Sequence, residues 1–358
     1  MSAPHLERLE LVPYALRFRR PYVTARGRLD RRELLLLRLR TDGPTGIGEA
    51  APLALRGGPG LAQLAAELER AGEALAGYEA SLATLDRAGE LDLSRQALAG
   101  LDLALHDLVG KLQGEPVWKL LGAKRAHPVS CNATLSSGEP DQVARQAIEW
   151  TTQGFRTVKL KLGAERDREM VAAVRQAVGP EVRIRVDANG IWSPEEAIAR
   201  LAEIEPHSIE LAEQPAPDLA GLAAVRKETS IPIAADESVV TVKDARSAAK
   251  LGACELATGK LAKAGGIRAS LEVAAELPTY LSSALDGPVG IAAAAHVAQC
   301  LPAGEPASGL DHGLATSELF AENIARDEPT IIGRLLHVPE GPGLGVDIDE
   351  RPLQGHLL

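Results

Sequence analysis

The stretch TVKLKLG, residues 157–163, sets two ammonium groups, Lys159 and Lys161, two positions apart among Val and Leu. In an extended chain, residues i and i+2 point to the same side. Both lysines then face one way and their apolar neighbours the other. Further along, four more charged residues close short apolar runs: Asp187 ends RIRVD, Glu213 ends IELAE, Asp236 ends PIAAD and Lys260 ends ELATGK. From 161 to 187, 213, 236 and 260 the steps are 26, 26, 23 and 24 residues, each close to one strand-plus-helix unit. In a barrel of parallel strands the carboxyl ends share one face, and active sites of such barrels lie there. The spacing therefore predicts two lysines and three carboxylates around one cavity.

Three carboxylates in a partly dry cavity repel one another and raise each other's pKa. A divalent cation relieves that repulsion. An all-oxygen set suits a hard ion, Mg²⁺ or alternatively Mn²⁺, and the scarcity of histidine nearby argues against zinc. A lysine close to another ammonium and to such a cation has its pKa driven down from about 10.4 toward neutrality. It can then serve as a general base. Lys159 and the metal are thus expected to tune Lys161, which takes the proton. The proton that suits this arrangement is one α to a carboxylate, because the enediolate places its charge on two oxygens that a cation can hold.

The elements that must position these groups can be read from periodicity. LERLELVPYALRF and RRELLLLRLRTDG read as strands, and GIGEAAPL (46–53) as a short strand or loop. Residues 60–122 keep apolar residues at helical spacing. Residues 1–122 therefore read as an α+β capping domain. From about residue 125, short apolar strands alternate with amphipathic helices for at least seven units, which favours a closed parallel barrel over 123–320. A Pro/Gly-rich segment, 321–358, is expected to pack back on the first domain. The expected fold class is α/β, a parallel barrel with an N-terminal α+β domain, which the family resemblance given below makes a modified TIM barrel of (β/α)7β type with an N-terminal α+β cap.

The bulk properties set limits. The 358 residues are 45% apolar and 25% charged with a formal charge of −10, which argues against a nucleic-acid or anionic-membrane partner. The three cysteines, Cys131, Cys254 and Cys300, form no CxxC pair, so neither a disulfide framework nor a cysteine zinc site is expected. With no apolar signal core at the N-terminus and no run of about 18 apolar residues, the cytoplasm is the expected location. The expected partner is a small carboxylate substrate, and a homo-oligomer is left open.

With these residues in hand, the chain resembles the enolase superfamily, in its muconate-lactonizing-enzyme-like subgroup. The matching motifs are KLK at 159–161, VDANGIW at 186–192, AEQP at 212–215, ADES at 235–238 and GKLAKAGGI at 259–267, with GIGEAAP at 46–52 in the cap. The resemblance implies Asp187, Glu213 and Asp236 as Mg²⁺ ligands, and Lys161 and Lys260 as acid/base lysines on opposite faces of the substrate. It makes Asn189, Glu237 and Lys263 supporting residues. The mandelate-racemase-like branch would want a histidine base late in the barrel, and PTYLSSAL has none. Residues 280–302 and 311–316 look most like bacterial o-succinylbenzoate synthases, which implies dehydration of a cyclohexadiene carboxylate on the way to menaquinone. In that reading 17–28 is a mobile cap loop carrying Arg26, and Ser282 and Ser283 line the carboxylate end of the substrate. The alternatives are N-succinylamino acid racemization or dipeptide epimerization on the same site, then muconate cycloisomerization. From a different class, a non-catalytic metal- or carboxylate-binding relative is the rival. The Asp-Gly-Pro that follows SSAL has no explanation in the sequence.

Overall fold

A computed structural model of the chain describes residues 4–24, 27–54, 57–302, 306–307, 309–327 and 329–358. It begins with a three-stranded antiparallel meander, β1 (Leu6–Thr24), β2 (Gly27–Thr41) and β3 (Gly46–Ala50). Four helices follow, α1 (Leu61–Leu75), α2 (Thr84–Gly89), α3 (Arg95–Gln113) and α4 (Val117–Leu120). The run LLLL at 34–37 is completely buried, because this sheet is covered on both faces. Leu35 and Leu37 pack with α1–α3, whereas Leu34 and Leu36 join the larger core shared with the barrel. Period-two alternation thus splits one apolar run between two cores. Gly48 lets β3 lie hard against α3, since a Cβ there would sit 2.2 Å from the Gly100 carbonyl.

The barrel is then laid down unit by unit. After the short β4 (Val129–Ser130) come β5 (Ala133–Leu135), α5 (Pro140–Thr152), β6 (Thr157–Lys161), α6 (Asp167–Val178) and β7 (Arg183–Asp187). Next are α7 (Pro194–Ile204), β8 (Ile209–Glu213), α8 (Leu219–Glu228), β9 (Ile233–Ala235), α9 (Val242–Leu251) and β10 (Leu256–Gly259). The series finishes with α10 (Leu261–Ala264), α11 (Ile267–Glu276), β11 (Thr279–Leu281) and α12 (Pro288–Ala298). β5 to β11 form one parallel sheet in chain order. Helix starts follow local chemistry: Ser193 caps α7 ahead of Pro194, and Thr241 with Asp244 forms a reciprocal capping box on α9.

The sheet's two edges are joined by residues 311–313. Parallel bridges link Cys131 to His312 and Ser282 to Gly313, with Asn132 N–H donating to the His312 carbonyl and Gly313 N–H to that of Leu281. This segment stands where an eighth strand would. The chain then returns to the base of the barrel and the cap. β12 (Ala325–Asp327) pairs with β15 (Asp347–Ile348), and the hairpin β13 (Ile331–Ile332) and β14 (Leu335–Leu336) adds to β4. The final helix, α13 (Glu350–His356), is followed by Leu358, whose N–H donates to Pro13 of β1. Among the described residues, no helix is long and apolar enough to cross a membrane.

The structure corrects the expectation for residues 17–28. Instead of a loop, 17–24 and 27–28 belong to β1 and β2, with Arg17 opposite Arg31, Tyr22 opposite Leu29 and Thr24 opposite Gly27, and a register shift between Arg17 and Tyr22. The Arg-rich pattern suggests a loop because much of this hairpin end is exposed. Arg26 itself lies outside the described residues.

The cap is fastened by Asp107 of α3, a buried carboxylate. It accepts from Ile47 N–H at 2.7 Å and Leu344 N–H at 2.8 Å, and Lys111 Nζ lies 2.6 Å away. It therefore ties β3 and the C-terminal segment to one helix. Replacing it leaves two buried donors unsatisfied, so Asp107→Ala should lower unfolding free energy by about 2–4 kcal/mol, read by denaturant titration. A loss below about 0.5 kcal/mol would contradict this role.

Candidate active site

The five strand-end residues come together in one network, but only the lysines line the cavity, where the spacing predicts the three carboxylates around it as well. Parallel register makes Lys161 the neighbour of Asp187, and Asp187 the neighbour of Glu213; Glu213 in turn pairs with Ala234, two residues before Asp236. All five are buried, as is Lys159. The side-chain contacts form a continuous network. Lys159 Nζ lies 2.9 Å from Asp187 Oδ2 and 2.5 Å from Glu213 Oε2. Lys161 Nζ is 2.5 Å from the same Asp187 oxygen, and Lys260 Nζ is 2.5 Å from Asp236 Oδ2. The two lysines of VKLK thus share one face of β6 and one carboxylate.

The supporting residues are placed here too. Asn189 has a left-handed backbone (φ 52°), which Asn tolerates. Its N–H donates to Asp187 Oδ1, its Oδ1 accepts from Lys161, and its Nδ2 donates to Glu237. Lys263 donates to Asp236 Oδ1 at 2.7 Å, so the GKLAKAGGI motif supplies a second ammonium to the same carboxylate. Gln214 is a residue that sequence reasoning misses. Its Oε1 accepts from Asp236 N–H at 2.8 Å and from Ser238 N–H, fixing the turn that presents Asp236.

Burial and charge oppose each other throughout. Burial acts to raise the Asp187 pKa, but Lys159 and Lys161, with Lys260, outweigh it and hold this carboxyl well below its ordinary range. Burial acts to lower the Lys159 pKa, and Asp187 and Glu213 outweigh it, so that ammonium stays charged. Glu213 is raised, first by burial and then by Asp187, against the pull of Lys159 and Lys260. His296 and His312 are pushed down to about 4 by burial, so both are neutral packing groups. His296 Nδ1 accepts from Trp118 N–H, and His312 Nδ1 from Leu281 N–H.

The three carboxylates are engaged by lysines rather than gathered about one point. Among the described residues, no three His, Cys, Asp or Glu side chains are placed to hold a metal ion. The donor set still fits a hard cation. Glu213 Oε1 is buried and no donor among the described residues hydrogen-bonds it; Lys260 Nζ is 3.7 Å away. That oxygen, with the carboxylates of Asp187 and Asp236, makes an all-oxygen set.

Above the lysines opens a cavity of about 520 Å³ between barrel and cap. Lys159, Lys161 and Lys260 form its floor, Ser282, Ser283 and Leu285 one wall, and the hairpin from Tyr22 to Glu33 the other. The carboxylates lie behind the lysines. Ser283 Oγ accepts from Asp286 N–H, so this hydroxyl also shapes the SSAL turn.

The structure explains the Asp-Gly-Pro. Glu49 of the cap accepts from Gly287 N–H at 2.7 Å and from Tyr14 Oη at 2.7 Å. A Cβ at 287 would sit 2.4 Å from Tyr14 Oη and 2.5 Å from Glu49 Oε2, so only glycine allows the approach. Pro288 then occupies the first turn of α12, where no N–H is needed. Arg32 of the cap donates to the carbonyl of Leu285, a bulky residue held at φ 63°. Cap and barrel are thus joined at the loop that forms the substrate wall.

Glu49 is fully buried, and its pKa is pushed up to about 7 by burial and by the nearby Asp286, against Tyr14, Gly287 and Arg32. The folded state then holds this proton more tightly than the unfolded chain, whose value is near 4.5. Stability contributed here is greatest below that value, falls as pH rises toward about 7, and levels off above it. The fall amounts to about 3 kcal/mol. Glu49→Gln should remove most of it when thermal unfolding is followed between pH 4.5 and 8; an unchanged pH slope would show that Glu49 does not carry it.

Comparison with known proteins agrees with this architecture. Residues 9–122 match the family profile described as "Mandelate racemase / muconate lactonizing enzyme, N-terminal domain", and residues 142–352 match "Enolase C-terminal domain-like". An L-Ala-D/L-Glu epimerase of Clostridium acetobutylicum is 34% identical over 298 residues, 78% of this chain and 82% of the relative. The muconate lactonizing enzyme of Pseudomonas fluorescens, solved with muconolactone, superposes with a TM-score of 0.94 at 31% identity, over 99% of this chain and all of that one. A dipeptide epimerase of Enterococcus faecalis, solved with Mg and L-Leu-L-Tyr, gives a TM-score of 0.89 at 26% identity, over 96% and 99% of the two chains. These relatives are isomerases. They favour the racemase/epimerase alternative over the o-succinylbenzoate synthase that residues 280–302 suggest.

Proposed function

The chain belongs to the enolase superfamily, in its muconate-lactonizing-enzyme-like subgroup, and we propose that it is an Mg²⁺-dependent racemase or epimerase of N-acylated amino acids. A dipeptide and an N-succinylamino acid both fall in that class. The observation that supports this reading is the pair of buried lysines, Lys161 and Lys260. They stand on β6 and just after β10, each paired with a different carboxylate and each facing the cavity floor. A single-base reaction needs one of them. Moving a proton from one side of a carbon to the other uses both.

Asp187, Glu213 and Asp236 would hold the Mg²⁺. Bound there, it supplies positive charge for the substrate's carboxylate oxygens and competes for the carboxylates that now pair with the lysines, favouring their neutral, basic form. Lys161 removes the α-proton from one face, and Lys260 delivers a proton to the other. Lys159 keeps its charge through Asp187 and Glu213, and Asn189 steadies Lys161. The cap hairpin covers the substrate and keeps water from the carbanionic carbon.

A second reading, dehydration to o-succinylbenzoate, is favoured by one feature, the SSAL loop itself, whose Ser282 and Ser283 line the cavity. The two readings part on the lysines and on the substrate. With a panel of L-dipeptides and N-succinyl-L-amino acids, wild type should form the D-configured product and incorporate deuterium at the α-carbon from D₂O. Lys161→Ala and Lys260→Ala should each lose racemization by at least about 10³-fold, and each should retain exchange from only one enantiomer. Turnover of the succinylated cyclohexadiene carboxylate to an aromatic product, without epimerization of any panel member, would overturn the racemase reading and establish the second.

A further inference from the structure

Tyr280 lies in PTYLSSAL, outside the motifs that supply the lysines and carboxylates of the site. It sits on β11, two residues before Ser282, and its side chain points into the barrel rather than to the cavity. It is 1% exposed and packs against Leu211, Ala234 and Leu256. Its hydroxyl reaches back across the strands to Glu213, donating to Oε2 at 2.6 Å. The same hydroxyl accepts from Thr258 Oγ1 at 3.0 Å. Beneath its ring lies the Arg185 guanidinium, 5.0 Å from the centroid. Arg185 is itself anchored by Glu210 at 2.5 Å and by the Asp311 carbonyl at 2.6 Å.

The two oxygens of Glu213 therefore have different fates. Oε2 receives both Lys159 and Tyr280, whereas Oε1 is hydrogen-bonded by no donor among the described residues. A carboxylate held by two donors on one oxygen cannot rotate without breaking both bonds. Thr258 fills the acceptor side of the Tyr280 hydroxyl, so its proton is directed at Glu213.

We propose that Tyr280 is a positioning residue for the divalent cation. By pinning Glu213 Oε2 together with Lys159, it presents Oε1 as a fixed ligand, and Arg185 and Thr258 hold Tyr280 in place for that task. The proposal rests on the reading of Asp187, Glu213 and Asp236 as the cation site. It places one determinant of metal affinity inside the barrel, on the side of Glu213 away from substrate. Partners that orient a metal ligand typically contribute about 10–100-fold to affinity.

The test uses the full-length protein and Mn²⁺ as the probe, with binding followed by the electron paramagnetic resonance of free Mn²⁺ and folding by circular dichroism. Tyr280→Phe keeps the ring that packs on Arg185 and removes only the donor. It should weaken Mn²⁺ binding by about 10–100-fold at unchanged secondary structure, and raising Mg²⁺ should restore turnover. Should that variant fail to fold, Thr258→Val, which frees the hydroxyl to turn away, should weaken binding in the same direction. Glu213→Gln separates the two claims. If wild type and Glu213→Gln bind Mn²⁺ equally, or wild type binds none, the cation site is wrong and this role falls with it. If Glu213→Gln loses Mn²⁺ while folded Tyr280→Phe or Thr258→Val binds like wild type, the cation site stands and the role of Tyr280 is overturned.

Discussion

Three carboxylates are buried side by side at one end of this barrel, and the rest of the structure answers to that fact. An isolated ionised carboxylate in a dry interior is prohibitively costly, and it becomes neutral unless it is paired. Here Lys159, Lys161, Lys260 and Lys263 supply four ammonium groups to Asp187, Glu213 and Asp236. The pairing is made possible by register: parallel neighbours Lys161, Asp187 and Glu213 stand opposite one another across three strands. A slip of one residue in any strand would turn its charged groups to the other face and leave partners stranded. The electrostatics thus specify the fold as firmly as the apolar core does. The same oxygens are the ones the proposed cation would share with the lysines.

Much of this arrangement is legible in the amino-acid order alone. The strand-end spacing locates five residues spread over a hundred positions, because a βα unit has a nearly constant length and strand ends converge. The series of at least seven units, and hence a closed barrel, follows from the same repetition; the (β/α)7β type comes from the family resemblance. What escapes is whatever depends on contacts between distant segments. Tyr280 reads as an ordinary strand residue, and its partner Glu213 is 67 positions away. The Asp-Gly-Pro after SSAL makes no sense locally, because the constraint on Gly287 comes from Glu49, 238 positions earlier. Residues 17–28 read as a loop because arginines dominate the stretch, and nothing local shows that Phe18 and Tyr22 reach the core. Gln214 lies inside a recognised motif, but nothing in AEQP tells that its amide oxygen holds Asp236.

The division of labour within the molecule is equally physical. The barrel fixes the lysines of the proposed reaction among buried charges, so that altering one leaves its partners unpaired. The cap contributes the hairpin wall, whose arginines and acids, Arg28 with Asp30 and Arg31 with Glu33, are exposed pairs of small energetic worth. Such a wall can change at little cost to folding. Relatives that share the fold closely include both epimerases and a lactonizing enzyme.

The seam at residues 311–313 bears on how the molecule comes into being. The first strand of the sheet finds its lateral neighbour only in His312, some 180 positions further on, and Asp311 braces that joint through Ser130, Thr157 and Arg183. During synthesis the earlier strands emerge as an open, curled ribbon with β5 unpaired on one side. Because the ribosome delivers the chain from the N-terminus, that raw edge must wait until residues 311–313 have been made. Until then the open edge is a template for pairing with another nascent copy.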